Sequence, residues 1–270
     1  MVLNMKILFV ILLIFIKCNS VIANDFEKLN SIENTVYHEL HSKVLNKTYH
    51  IHVKAPKPLK EKTKYITVYL LDGDITFPLL ASYSKYLNLA EDIPDIILVG
   101  ISYGTDDFKK GNSRGHDFTA PANGRAHYGG AEKFQSMLNQ ELFPMIEKNY
   151  PSDKQKRILF GQSLGGQFAL FNTMYHPKNF WGVIASNPAI HRNLEFFKGT
   201  PFDNKKPGLL YVSRAKNDEA RYIQPLNEWL SYWNEKTHPW SMKVAWLEDH
   251  NHFSAAPDAF RNGMRWIMKQ

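Results

Sequence analysis

Six near-continuous apolar runs constrain the fold of this chain more than any other feature. They are "YITVYLLDG" (65–73), "DIILVGI" (95–101), "RILFGQS" (157–163), "FWGVIAS" (180–186), "GLLYVSR" (208–214) and "MKVAWLE" (242–248). A strand with one wet face alternates apolar and polar residues, whereas an unbroken apolar strand is buried on both faces, as in a parallel sheet. Helical patterns lie between the runs. Phe134, Leu138, Leu142 and Ile146 recur every four residues, and Leu226, Leu230 and Trp233, then Phe260, Met264 and Ile267, repeat in the same style. Alternating strands and helices around a parallel sheet predict a doubly wound α/β domain. Pro144, inside the helical pattern of 131–149, predicts a kink or break there. Ahead of these, "TYHIHVKAP" (48–56) puts Tyr49, Ile51 and Val53 on one face and His50, His52 and Lys54 on the other. That is a half-buried antiparallel strand, expected to form a hairpin with the stretch near 35–45.

The first 23 residues read differently. Lys6, the apolar run Ile7 to Ile16, and small residues before position 24 have the order of a secretory signal peptide. Ten apolar residues are too few for a bilayer, which needs about twenty, so no stable membrane insertion is expected. A lipoprotein-type site at Cys18 is disfavoured by Lys17 directly before it. Cleavage after Ala23 would leave 24–270 as a single domain, exported to a periplasm or secreted. Residues 1–23 carry Lys6, Lys17 and no acid, so the net charge would fall from +7 to +5. The same cut removes the only cysteine, Cys18, and with it any disulfide or thiol nucleophile. A modest positive balance suits an anionic substrate or surface, and ordinary solubility equally well. No run of five basic residues occurs, so nucleic acid is not an expected partner. Oligomeric state has no signature in the sequence.

Within this frame "GQSLG" (161–165) follows a strand and precedes a helix, the context of a Gly-x-Ser-x-Gly nucleophile elbow. The turn is sharp, and a side chain at Gly161 or Gly165 is expected to collide with the neighbouring strand or helix. Ser163 is the candidate nucleophile. Its base should lie in the loop after a late strand, where "EDHNHFS" (248–254) offers His252 and His250. The acid should follow the preceding strand, where Asp218 is the first candidate and Glu219 the second. An oxyanion hole needs two N–H donors, expected from Leu164 and from Gly73 in "LLDGD" (70–74). Asp72 and Asp74 lack the further ligands of a metal site, as do the histidine pairs "HELH" and "HIH", so neither metal nor cofactor is expected.

Taken together, "VYLLDGDITF", "RGHDFTAP", "GGAEKFQSMLNQELFPMIEKNY", "RILFGQSLGGQFAL", "SNPAI" and "HFSAAPDAFRNGMRWI" resemble the enterochelin-esterase-like family of α/β-hydrolases, in order and over roughly 33–269. The resemblance implies an α/β-hydrolase fold with Ser163 as nucleophile, His252 rather than His250 as base, and Gly73 and Leu164 at the oxyanion positions. It further implies that the "RGHDFTAP" loop borders the active-site mouth, with Arg114 as a substrate contact unless it pairs with Asp117 or another acid. The family commonly carries a glycine before its acid, where this chain has Ser213. That departure leaves the register of the acid open, and some exported relatives are thought to use a serine–histidine dyad. The function expected is an exported serine esterase acting on small-molecule carboxylic esters, with siderophore lactones among the candidates. Other acyl or polysaccharide esters, acyl transfer, or a non-catalytic binding role on the same fold are the alternatives.

Overall fold

The computed structural model describes residues 32–270 except 61, 106, 108, 109 and 203–207. The signal peptide expected over 1–23 and Cys18 lie outside the described residues. The elements run β1 (Thr35–Ser42), β2 (Lys47–Lys54), β3 (Tyr65–Leu70), α1 (Gly73–Leu89), β4 (Ile96–Ser102), α2 (Arg114–Asp117), α3 (Ala131–Met137), α4 (Phe143–Asn149), β5 (Ser152–Gln162), α5 (Leu164–Tyr175), β6 (Gly182–Ser186), β7 (Gly208–Ala215), α6 (Ala220–Asn234), β8 (Trp240–Leu247) and α7 (Ala256–Ile267).

One eight-stranded sheet has the order β1-β2-β4-β3-β5-β6-β7-β8. The hairpin β1–β2 joins antiparallel to β4, and the other six strands are mutually parallel. Strand side chains alternate between two buried layers. Val68 and Leu70 pack with Phe77 of α1 and Phe260 and Met264 of α7. Tyr69 and Leu159 face the opposite layer with Phe134, Phe168 and Trp229 from α3, α5 and α6. Both faces are therefore dry, which is why the central runs have no polar alternation. Removing one of the fully buried rings, as in Phe168→Ala, would cost about 3–5 kcal/mol.

Two local expectations change. The run 242–248 is not buried on both faces, because β8 is the sheet's last strand and pairs only with β7. Trp246 stays 49% exposed, with the Arg214 guanidinium over its ring at 4.3 Å. The irregularity expected at Pro144 precedes it, as a π-helical turn over Leu138–Leu142 between α3 and α4, with Pro144 in the first turn of α4. A four-residue repeat overshoots a 3.6-residue turn, and the wider π turn takes up the overshoot. Phe134, Leu138, Leu142 and Ile146 are all fully buried as a result.

β3 lies between β4 and β5, so the chain leaves β3 toward one side of the sheet and resumes on the other. Such a reversal opens a crevice at the carboxyl ends of the strands. Asp72 and Gly73 follow β3 there, and Ser163 follows β5.

Candidate active site

Ser163 sits between the last residue of β5 and the first of α5, with φ 59° and ψ −114°. Non-glycine residues rarely adopt such a conformation, which costs about 1–3 kcal/mol and persists only where the surroundings enforce it. Three backbone bonds do so here. The Ser163 N–H donates to the Ser186 carbonyl at 3.0 Å, while the Ser163 carbonyl accepts from Gln167 at 2.9 Å and Ala189 at 3.0 Å. A Cβ on Gly161 would lie 2.1 Å from the Gly165 carbonyl oxygen, so no side chain fits. The second tight position is Gly166 rather than Gly165. A Cβ at 166 would lie 2.8 Å from the Ser186 carbonyl oxygen, whereas one at 165 meets nothing closer than Leu71 at 3.4 Å.

The two loops expected to carry base and acid are stitched together. Lys216 N–H donates to the Leu247 carbonyl and Asn217 N–H to the His250 carbonyl, both at 2.9 Å. These bonds extend the β7–β8 pairing and bring Asp218 to His252, despite Ser213 in place of a glycine. His252 Nε2 lies 2.8 Å from Ser163 Oγ, and its Nδ1 lies 2.7 Å from Asp218 Oδ2. Both partners are dry, with side chains 7% and 2% exposed. The second Asp218 oxygen accepts the Glu219 N–H at 2.7 Å. With Nδ1–H donated to the carboxylate, Nε2 presents its lone pair to the serine hydroxyl.

Glu219 and His250 fall outside this chain of contacts. The Glu219 carboxylate is exposed and pairs with Arg221 at 2.8 Å. His250 bonds Ser254 Oγ at 3.2 Å through Nδ1 and Asp258 at 2.9 Å through Nε2. The His252 backbone is held by residues that the sequence reading did not single out. Gln162 and Asn187 side chains both donate to the His252 carbonyl, Asn187 at 3.2 Å. Asn187 also accepts the Ala215 N–H at 2.9 Å, tying the end of β7 to the histidine loop. Its positive φ of 43° is one that asparagine tolerates, and "SNPAI" is the segment that carried the signal.

Gly73 and Leu164 each open a helix, so their N–H groups have no intrahelical acceptor and both helix ends favour negative charge. A Cβ on Gly73 would lie 2.7 Å from the Ile101 nitrogen, which accounts for glycine there. Arg114 bonds Asp72 rather than Asp117. Its guanidinium forms a two-pronged pair with Asp72, at 2.6 and 2.9 Å, bracing the turn just before Gly73. Asp117, fully buried, instead accepts from Lys47 and Tyr49 at 2.7 Å and from Tyr103 at 3.1 Å, and bonds His116 Nδ1 at 2.9 Å. Asp74 accepts from Ser102 Oγ at 2.7 Å. Among the described residues no cluster of histidine, cysteine and carboxylates has the geometry of a metal site.

A cavity of about 540 Å³ is lined by Pro121, Asn123, His191, Arg192, Glu195 and Phe196, among others. His191 meets Tyr222 edge-on at 5.0 Å, and Tyr222 stacks on His252 at 4.1 Å, so the cavity begins one ring away from the base. Burial, then the charges of Arg192, Arg221 and Arg125, lower the His191 pKa from 6.5 to about 4. Of these arginines Arg192 lines the cavity, alongside Glu195, and Arg221 is paired with Glu219.

The family model Esterase, described as "Putative esterase", matches residues 42–263. The ferri-bacillibactin esterase BesA of Bacillus subtilis is 31% identical over 211 residues, covering 73% of this chain and 69% of that relative. An apo-salmochelin esterase of Escherichia coli is 26% identical over 157 residues, 54% of this chain and about half (48%) of that relative. Among solved structures, the BES protein from Bacillus cereus superposes with a TM-score of 0.78 at 26% identity, covering 88% of this chain and 95% of its own. Siderophore hydrolase EstB from Aspergillus nidulans shares the fold, with a TM-score of 0.74 at 20% identity over 87% of this chain and 95% of its own.

Proposed function

The chain belongs to the Esterase family, and from that premise we propose that it is a serine esterase that cleaves carboxylic esters by acyl transfer. The observation that carries this is the continuous contact from Asp218 through His252 to Ser163, at 2.7 and 2.8 Å. His252 Nε2 takes the hydroxyl proton as Ser163 Oγ attacks the ester carbonyl carbon. The carbonyl oxygen becomes an oxyanion held by the N–H groups of Gly73 and Leu164, each aided by its helix end. Collapse expels the alcohol, which receives the proton from His252. Water, deprotonated by the same nitrogen, then attacks the acyl-serine and releases the acid. Asp218 keeps Nδ1 protonated throughout and stabilises the imidazolium that forms.

The substrate class we favour is a siderophore ester carrying negative charge. It is supported by the relatives, named as a ferri-bacillibactin esterase, an apo-salmochelin esterase and a siderophore hydrolase, and by Arg192 in the lining of the His191 cavity. The test is a hydrolysis screen over siderophore lactones, short acyl esters and feruloyl or acetyl polysaccharides, with Ser163→Ala as control. Preferential turnover of lactones supports the class. Preference for short neutral esters or polysaccharide acyl groups rejects it. Export is proposed on residues 1–23, and the N-terminal mass of the protein recovered outside the cytoplasm tests it. A chain that keeps those residues in the cytosol sinks that part.

A further inference from the structure

Two hydrogen bonds leave the His252 ring one freedom. Bonds at Nδ1 and Nε2 lie along one axis of the imidazole, and the ring can still tilt about that axis, which moves the Nε2 lone pair off the line to Ser163 Oγ. Something must hold the ring face. Tyr222 lies against it, with centroids 4.1 Å apart and planes 19° from parallel. Tyr222 is itself held on two sides: the Arg221 guanidinium sits over its ring at 4.7 Å, and His191 meets it edge-on at 5.0 Å. Arg221 is tethered in turn to Glu219 at 2.8 Å. All of these except His191 lie in the first turn of α6 or at its cap, Glu219, which Asp218 directly precedes.

We propose that Tyr222 is the positioning residue that fixes the plane of the His252 imidazole, so that the segment running from Asp218 into the first turn of α6 sets both the axis of the base, through Asp218, and its tilt, through Tyr222. The electron-rich ring face also attracts the imidazolium that exists only after Ser163 has given up its proton. Such an interaction raises kcat more than it lowers KM, because it is stronger in the transition state than in the ground state. The hydroxyl of Tyr222 has no part in this; the ring face does the holding. This inference rests on the reading of Ser163 as nucleophile.

The experiment compares wild type, Tyr222→Phe, Tyr222→Leu, Tyr222→Met and Ser163→Ala, on p-nitrophenyl acetate and in the rate of labelling by diisopropyl fluorophosphate. Tyr222→Phe keeps the ring and is expected within about twofold of wild type in both readings. Tyr222→Leu is expected to lose about tenfold in kcat and in labelling rate with KM nearly constant. Circular dichroism establishes that each variant is folded, and Tyr222→Met replaces Tyr222→Leu if the latter is not. Loss in KM alone, or a folded Leu or Met variant with full kcat, overturns the assignment of Tyr222. Turnover or labelling retained by Ser163→Ala overturns the esterase reading instead, so the two failures are separable.

Discussion

The loop ahead of α7 takes part in two serine–histidine–aspartate arrangements, and their difference shows what such a trio requires. In the first, Ser163, His252 and Asp218 come from three loops at the ends of β5, β8 and β7, with bonds of 2.8 and 2.7 Å. In the second, Ser254, His250 and Asp258 lie within nine residues of one another. The ring is used the other way round there, with Nδ1 toward the serine and Nε2 toward the acid. The Ser254 hydroxyl also accepts the Asn251 N–H at 3.1 Å, and the Ser254 N–H returns a bond to Asn251 Oδ1 at 3.1 Å. The local trio closes a loop on itself. The long-range trio sits on a strained turn, beside the first N–H of a helix, with base and acid both dry. Residue types and contacts are shared; the backbone donors and the desolvation are not, and those stabilise a developing oxyanion.

The largest expected effect separates the two serines. Ser163→Ala is expected to lower kcat on p-nitrophenyl acetate by about 10⁴-fold or more, while Ser254→Ala stays within about twofold. Equal losses in the two variants would erase the distinction. The acids come next. Asp218→Asn is expected to cost roughly 10²–10⁴-fold in kcat, by favouring the wrong histidine tautomer, against less than about threefold for Asp258→Asn or Glu219→Gln. Full activity in Asp218→Asn would mean that serine and histidine work as a dyad.

A third difference is in strain. Gly161→Ala forces a Cβ into the Gly165 carbonyl oxygen and is expected to destabilise the fold by about 3 kcal/mol or more in urea titration. Gly208→Ala, with nothing within 4 Å of its Cβ, should change stability by less than about 1 kcal/mol. Comparable unfolding midpoints would remove the steric account of the elbow. The smallest effect lies at His191, whose pKa is lowered to about 4 by burial and three arginines. Between pH 6.5 and about 4 the unfolded chain binds a proton that the folded chain does not. The stability this gives is complete above pH 6.5 and is lost as pH falls through that window. His191→Asn should flatten the slope of stability against pH there, and an unchanged slope would assign the loss to other groups.

Ser163 was legible because the elbow is a local problem: a strand must turn into a helix within three residues, and the small residues that permit it stand next to the serine. The layer structure was legible for a similar reason, since strands dry on both faces cannot carry polar alternation. Arg114 was harder. Its sequence neighbours include Asp117, yet the partner it meets is Asp72, 42 residues earlier, because two loops converge at one end of the sheet. Gln162 and Asn187 act through side-chain bonds to a backbone carbonyl, and such bonds leave no periodicity behind.

What the amino-acid order determined by itself was therefore whatever arises from neighbouring residues: alternating strands and helices, the elbow, the candidate loops. Between chemically equal candidates the sequence offered a preference, His252 over His250 by resemblance and Asp218 ahead of Glu219, and the tertiary structure shows which of them are in contact. His250 and His252 are two residues apart in the same loop, and Asp218 and Glu219 are adjacent. The contacts fall to His252 and Asp218 because the β7–β8 pairing continues into Lys216 and Asn217, and that continuation brings the Asp218 carboxylate to the imidazole that meets Ser163. Which side chain points inward is set by strand register across the sheet, a long-range quantity that no short stretch of sequence contains.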